Sequence, residues 1–232
     1  NTVLVKGNII STAVGGVVWF RGSVNDTLYF SVNKSGTTAG DTTHLWKTDG
    51  TNTVLVKTLP HPGYPGVGGG FPQNFTVVGN KLFFDMWQDN GRELWVSDGT
   101  AAGTMEVIDL NPGNNGAGLD YAGSEGKPMI AFNGKVYFSG GTTLGTNELY
   151  SSDGTPSGTT LVKAGTTNPE FFIVYKNELY FAATDGIWKT DGTTPGTVKI
   201  TTGRFNSNAR IFKNEMFYSV NGSLWKSDGT SG

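Results

Sequence analysis

Few residues in this chain have side chains able to do chemistry, and most of them are scattered. There is no cysteine, so disulfides, thiolate metal sites and thiol nucleophiles are excluded. The two histidines, His44 and His61, fall in or beside connecting segments and lack the H-x-x-x-H spacing that sets two imidazoles on one metal. A site completed by Asp85 or Asp120 can be drawn on paper, but solvated loop histidines are the plainer reading. Paired carboxylates for glycoside hydrolysis would have to come from Asp85, Asp89, Asp120 and Glu125, which no local spacing brings to the separation of about 5 to 9 Å that such a pair needs. No serine occupies a G-x-S-x-G elbow. The chain therefore reads as carrying no catalytic residue, no metal and no cofactor, and as not being an enzyme.

A binding site is easier to assemble. Trp87 stands at the start of a connecting segment beside Gln88, Asp89 and Asn90, and neighbouring connections supply Tyr64, Phe71, Tyr121 and His61. Aromatic faces with amides and hydroxyls between them are the lining that holds a sugar ring, apolar face stacked and hydroxyls bonded. Trp87, Asp89, Asn90, Tyr64, Phe71, Tyr121 and His61 are the candidate ligand residues. Trp19 falls within a strand-like run and reads as packing. The four Asn-x-Ser/Thr triplets, at Asn25, Asn33, Asn74 and Asn221, are expected by chance in so Asn- and Thr-rich a chain.

The elements that must hold these residues come from a repeat. Five near-copies of one phrase occur, LWKTDGT at 45–51, LWVSDGT at 94–100, LYSSDGT at 149–155, IWKTDGT at 187–193 and LWKSDGT at 224–230. Four of them lead, after a short gap, into a threonine that opens a strand-like run, and the fifth does not. The missing run is Thr2-Val3-Leu4-Val5-Lys6 at the other end of the chain. Cutting at each such threonine gives units at 2–52, 53–103, 104–158, 159–196 and 197–232, which fill the chain as a single domain. Each unit carries four strand-like runs. The first two are joined by the pairs Asn25-Asp26, Gly79-Asn80, Asn133-Gly134, Lys176-Asn177 and Lys213-Asn214, which read as tight hairpin turns. The second holds three consecutive bulky residues, such as Leu82-Phe83-Phe84, so both of its faces must be covered.

These features predict an all-β fold, a five-bladed β-propeller of four-stranded antiparallel blades. Its ring is closed by residues 2–6 completing the C-terminal blade against residues 224–226. The first strand of each blade then lines the channel. The repeated aromatics Trp46, Trp95, Tyr150, Trp188 and Trp225 are read as packing between blades. The repeated Asp-Gly-Thr triplets are turns: the carboxylate accepts backbone hydrogen bonds, Gly supplies a left-handed conformation and Thr restarts the strand. They lack the D-x-D-x-D-G density of a calcium loop. Two sets of connections leave one face. They are long in the first three blades, at 7–16, 58–74 and 110–127 and at 33–43, 87–91 and 140–146, and short in the last two. What departs from a repeat is free to serve a ligand, so the expected contact surface lies over blades 1–3.

Composition agrees. Glycine, 35 of 232 residues, is at about twice its usual share, and charged residues are only 16%. A net charge of −2 without a Lys/Arg cluster argues against nucleic acid and anionic membranes as partners. No apolar stretch approaches the roughly 20 residues of a membrane helix. The chain begins inside a repeat, which suggests a processed domain or a piece of a longer precursor.

The run Glu93-Leu-Trp-Val-Ser-Asp-Gly-Thr-Ala-Ala-Gly-Thr resembles the ELWxxDGT repeat of large bacterial surface and secreted proteins, and the likeness extends over all five units. The motif's Glu is replaced at Thr43-His44, Asp185-Gly186 and Gly222-Ser223, and its trailing Gly-Thr has become Asn52-Thr53 in the first unit. The resemblance implies an extracellular module, one part of a multidomain adhesin-like protein, and carries over no catalytic residue. The expected function is non-enzymatic recognition or adhesion by a monomeric domain, with a protein or glycan on a surface and the flanking domains of a longer chain as partners. Two alternatives stand beside it: a carbohydrate-binding lectin with a pocket on the long-loop face, and a rigid spacer or docking domain without a small ligand.

Overall fold

Alternating β-branched and aromatic runs separated by two-residue turns can bury their side chains only as antiparallel meanders. A computed structural model of the chain, describing residues 2–7, 9, 16–34, 42–60, 72–88, 91–112, 129–143, 146–204 and 209–229, has nineteen strands arranged in that way. The chain divides into two compact units, Asn1–Asn115 and Gly116–Gly232. In the first unit, β1 (Gly16–Val24), β2 (Thr27–Lys34), β3 (Thr42–Thr48) and β4 (Thr53–Leu59) form one four-stranded sheet in chain order. A second such sheet is β5 (Gln73–Val78), β6 (Lys81–Gln88), β7 (Gly91–Ser97) and β8 (Met105–Ile108). The second unit holds β9 (Met129–Phe132) to β12 (Thr160–Lys163) by way of β10 (Lys135–Thr143) and β11 (Thr146–Ser152). It also holds β13 (Glu170–Tyr175), β14 (Glu178–Ala183), β15 (Gly186–Thr190) and β16 (Val198–Thr201), and lastly a three-stranded sheet of β17 (Arg210–Phe212), β18 (Glu215–Val220) and β19 (Ser223–Ser227).

The expected hairpins form. Both central residues take positive φ at Asn25-Asp26, Asn133-Gly134, Lys176-Asn177 and Lys213-Asn214, the geometry whose twist matches paired strands. In the Gly79-Asn80 turn only Gly79 does so. A second feature recurs in all four complete sheets, a bulge where the third strand meets the fourth, between Leu45/Trp46, Leu94/Trp95, Leu149/Tyr150 and Ile187/Trp188. The extra fourth-strand residue, Val56, Val107 or Val162 in the first three, is turned into the core.

Between sheets, the alternation of the second strand explains its three bulky residues. Phe84 stacks on Trp95 at 6.0 Å and packs with Leu82 and Met86 against Tyr29 and Leu45 of the neighbouring sheet. Phe181 stacks on Trp188 in a core shared with Tyr137 and Leu149. Trp95 and Trp188 thus pack between sheets as expected, Trp46 and Tyr150 stack on Phe30 and Phe138 of their own sheets, and Trp225 is 53% exposed on β19.

Three of the Asp-Gly-Thr turns are closed hydrogen-bond circuits. Asp98 Oδ1 accepts from the N–H and hydroxyl of Thr100 at 2.8 and 2.7 Å, Thr100 Oγ1 accepts the Gly103 N–H at 2.9 Å, and Thr104 Oγ1 donates to the Thr100 carbonyl at 2.7 Å. The same circuit repeats at residues 153–159 and 191–197. These bonds, chiefly from the Thr100 and Thr193 hydroxyls, hold the Asp98 and Asp191 carboxyls below the usual range. The turn's central glycine then serves the neighbouring sheet. Gly99, at φ 87°, lies against the Tyr29 hydroxyl, and its carbonyl accepts Lys47 Nζ at 2.8 Å. Gly229 likewise accepts from Tyr180 at 3.2 Å, beside Lys176 bonded to the Asp228 carbonyl at 2.8 Å.

Closure of the ring is not shown. Residues 2–6 form no strand, so the pairing foreseen with residues 224–226 is absent among the described residues and the last sheet stops at three strands. Val3 and Leu4 are 78% and 84% exposed, and so is Leu224 at 76%. A terminal strand has only one ladder to hold it and a large chain entropy to lose, which makes it the weakest member of any such sheet.

The turn geometry makes a comparison between glycines decisive. Gly50, at φ 90°, has open space around it, whereas a methyl at Gly99 would overlap Tyr29. Gly50→Ala therefore carries backbone strain alone, and Gly99→Ala should cost about 1 kcal/mol more, as overpacking does. Urea unfolding of the two variants measures the difference; equal losses would contradict the proposed grip between sheets.

Candidate functional site

The end of the second sheet that carries the long connections is built around a buried charge pair. Asp85 on β6 is 1% exposed, and Arg92 on β7 reaches it across the hairpin, Nε to Oδ1 at 2.7 Å and Nη2 to Oδ1 at 2.6 Å. Arg92 Nη2 also donates to Gln73 Oε1 at 2.9 Å, and Asn74 Nδ2 donates to Asp85 Oδ2 at 2.6 Å. Asn74 arrives there because β5 bulges between Gln73 and Thr76, with Asn74 at φ 53°. Burial pushes the Asp85 carboxyl up, while the Arg92 guanidinium and the Asn74 amide pull against it. The group's hydrogen-bonding capacity is spent on its neighbours, so its work is to tie three strands together. It is not a free acid for hydrolysis. In the fourth sheet the corresponding place is taken by Ala182, so this network is not part of the repeat.

Trp87 lies two residues on from Asp85 and directly opposite Arg92, which puts all three on one face of the sheet. Its indole is 41% exposed, a rigid aromatic on a braced strand end.

The opposite face carries Glu93, the acid of the repeated motif. Its Oε2 accepts the Leu110 N–H at 3.4 Å, and Glu148 does the same for the Gly165 N–H at 2.6 Å, seventeen residues on in both cases. The motif's Glu thus fastens the third strand to the chain leaving the fourth. His44 occupies this place in the first sheet, its Nδ1 2.9 Å from Thr58 Oγ1. Glu93 is 1% exposed, its Oε1 has no partner among the described residues, and burial, with Asp109 and then Glu106 adding like charge, lifts its pKa to about 8.

Of the expected ligand residues, Trp87 lies within β6, one residue before its end, and is 41% exposed. Asp89, Asn90, Tyr64, Phe71, Tyr121 and His61 lie outside the described residues, as do Asp120 and Glu125. Among the described residues no three His, Asp or Glu side chains gather where they could hold a metal. Sequence reasoning missed Arg92, Gln73 and Asn74. The available signal was an opposite-charge pair whose positions, 85 and 92, face each other diagonally once the 87–91 segment is read as a hairpin.

No family profile matches the chain, and no curated protein is similar to it. Solved structures of similar architecture include TolB from Acinetobacter baumannii, at 10% identity over 94% of this chain and 64% of that one, with a TM-score of 0.42. A gluconolactonase from Xanthomonas campestris is 14% identical over 86% of this chain and 81% of its own, TM-score 0.40. An uncharacterised protein from Listeria monocytogenes is 9% identical over 93% and 67%, TM-score 0.45. All three likenesses have TM-scores below 0.5, and no property of this chain follows from them. The chain spans 64% of the length of the TolB structure.

Two measurements check this site. Removing one member of the buried pair, by Arg92→Met, should cost about 3 to 5 kcal/mol because the Asp85 charge is left buried, while Asp85→Leu combined with Arg92→Met should recover most of the loss; chemical denaturation of the single and double variants decides. Glu93 predicts a pH dependence. Its folded pKa of about 8 exceeds the ordinary 4.5, so the folded state keeps a proton that the unfolded state releases, and stability falls as pH rises between those values. Glu93→Gln should flatten that decline in melting temperature from pH 5 to 8.

Proposed function

We propose that this chain is a non-enzymatic extracellular recognition or adhesion module of a larger bacterial surface or secreted protein, built as a closed five-bladed β-propeller that meets its ligand through the long-loop face of blades 1–3. The observation that carries the reading is Trp87, an indole 41% exposed on a strand end braced by the Asp85–Arg92 pair, beside connections that depart from the repeat. Large, rigid aromatics of this kind are the usual anchors of binding surfaces. The likeness to ELWxxDGT repeats supports the extracellular setting. The same half-exposed indole favours a second form of the reading, a lectin, because a braced aromatic face suits an apolar sugar face.

Support for closure comes from a register rule. In the first sheet Leu45 pairs with Lys57, Trp46 with Leu55, Lys47 with Val54 and Thr48 with Thr53, and the other complete sheets follow the same offset. Applied to β19 and the N-terminal run, the rule sets Leu224 opposite Lys6, Trp225 opposite Leu4, Lys226 opposite Val3 and Ser227 opposite Thr2. Val5 would turn inward like Val56. This would also cover the most exposed apolar residues at both ends.

The absence of cysteine from the chain makes closure directly testable. Val3→Cys with Lys226→Cys should form an intramolecular disulfide under mild oxidation and raise the melting temperature. Failure to cross-link, with Val3→Cys and Leu224→Cys joining instead, would reject the register. For the ligand face, a glycan array probed with the whole chain and with Trp87→Ala should show selective binding that weakens at least about ten-fold in the variant while the melting temperature holds. Binding that ignores Trp87 would move the contact surface elsewhere.

A further inference from the structure

Arg21 on β1 breaks the repeat in another way. Phe20 pairs with Phe30 and Gly22 with Tyr29, which leaves Arg21 as the extra residue of a bulge. The first strands of the second and fourth sheets are also bulged, but near their beginnings, between Gln73/Thr76 and Glu170/Ile173. The first sheet alone among these three places its bulge at a cationic residue in the later half of the strand. Bulges re-aim side chains and gather at binding sites.

The re-aimed guanidinium is held by aromatic rings. Its Cζ lies 5.7 Å from the Trp19 ring centroid and 5.2 Å from that of Phe75 on the adjoining β5, within cation–π range of both. Nε donates to Ser31 Oγ at 2.9 Å, and Phe75 is itself stacked on Phe84 at 5.0 Å, so the group is anchored from behind. The two Nη groups have no hydrogen-bond partner among the described residues, and no carboxylate there pairs with them. Half-burial without counter-charge pulls the Arg21 pKa down to about 10, which still leaves it charged at neutral pH. Trp19 is 51% exposed and Phe20 74%. A planar cation with two donor edges open among the described residues thus sits beside an open indole, all on first strands of the first unit.

We propose that Arg21, Trp19 and Phe75 form a binding site for a carboxylate carried on a ring, such as the uronic-acid residue of an acidic polysaccharide. The fork of Nη donors takes the carboxylate, the geometry for which a guanidinium is suited and an ammonium is not. The Trp19 face takes the ring beside it. Desolvation of the guanidinium and the surrounding aromatic surface strengthen the charge-assisted bonds relative to those made in open water.

The test is calorimetric titration of the whole chain with glucuronate, benzoate, glucose and acetate at low ionic strength. Glucuronate and benzoate, which have both features, should bind at least about ten-fold more tightly than glucose, which lacks the carboxylate, or acetate, which lacks the ring. Arg21→Gln and Trp19→Ala should each weaken glucuronate about ten-fold or more, Arg21→Lys should rescue only partly, and Arg210→Gln on β17 should change nothing. Should Arg21→Gln fail to fold, the four-ligand comparison on the unaltered chain and Trp19→Ala still decide. Glucose or acetate binding as well as glucuronate, no binding by either ring carboxylate, or indifference to Arg21 would each overturn the proposal.

Discussion

The structure rests on how one short turn uses its hydrogen bonds. In the sequence Asp-Gly-Thr, the carboxylate takes the threonine's N–H and hydroxyl, that hydroxyl takes the N–H of a later glycine, and the next threonine returns a bond to the turn's own carbonyl. With the polar groups satisfied inward, the turn can be set against a neighbouring sheet without leaving orphaned donors. Its two glycines are required for separate reasons. A methyl at Gly103 would overlap the Asp98 carboxylate, and one at Gly99 the tyrosine of the sheet before it. The motif is therefore a joint as well as a turn. Its other residues follow from that: tryptophan stacked on the second strand, the tyrosine opposed to the turn, and a lysine on the glycine carbonyl.

This explains what could be read from the sequence and what could not. Hairpins at Asn133-Gly134 and its counterparts, the strand order and the packing of Trp95 and Trp188 are local or repeated, so one unit interprets the others. The bulge that buries Val56, Val107 and Val162 also recurs, yet alternation along a single strand does not disclose it, because a bulge is a relation between two strands. Among the described residues the Asp85–Arg92 pair and the Arg21 bulge occur once each and have no copies to betray them. Their signature was a charge standing where sister strands carry an apolar or small residue, such as Ala182.

The motif's acid illustrates how a residue suggestive of chemistry can be structural. Glu93 and Glu148 each cap the backbone of the chain leaving a fourth strand, and His44 stands in their place in the first sheet. Trp87 and Arg21, the residues proposed to meet ligands, lie outside the phrase that repeats. On the proposed reading, scaffold and recognition fall to different letters of the same unit, and the repeat can stay constant while its exceptions vary.

The grip between adjoining sheets has a consequence for how such a chain arises. Tyr29 with Lys47 holds the turn of the sheet that follows, and Tyr180 with Lys176 does the same farther along, so a unit that carries this tyrosine holds both halves of the joint, whereas Phe83 and Phe217 stand in its place in the second and fifth units. Unequal crossing-over within the coding DNA, which adds or deletes whole copies in frame, would then yield products whose seams already fit where the tyrosine is present, and would leave a looser seam where phenylalanine replaces it.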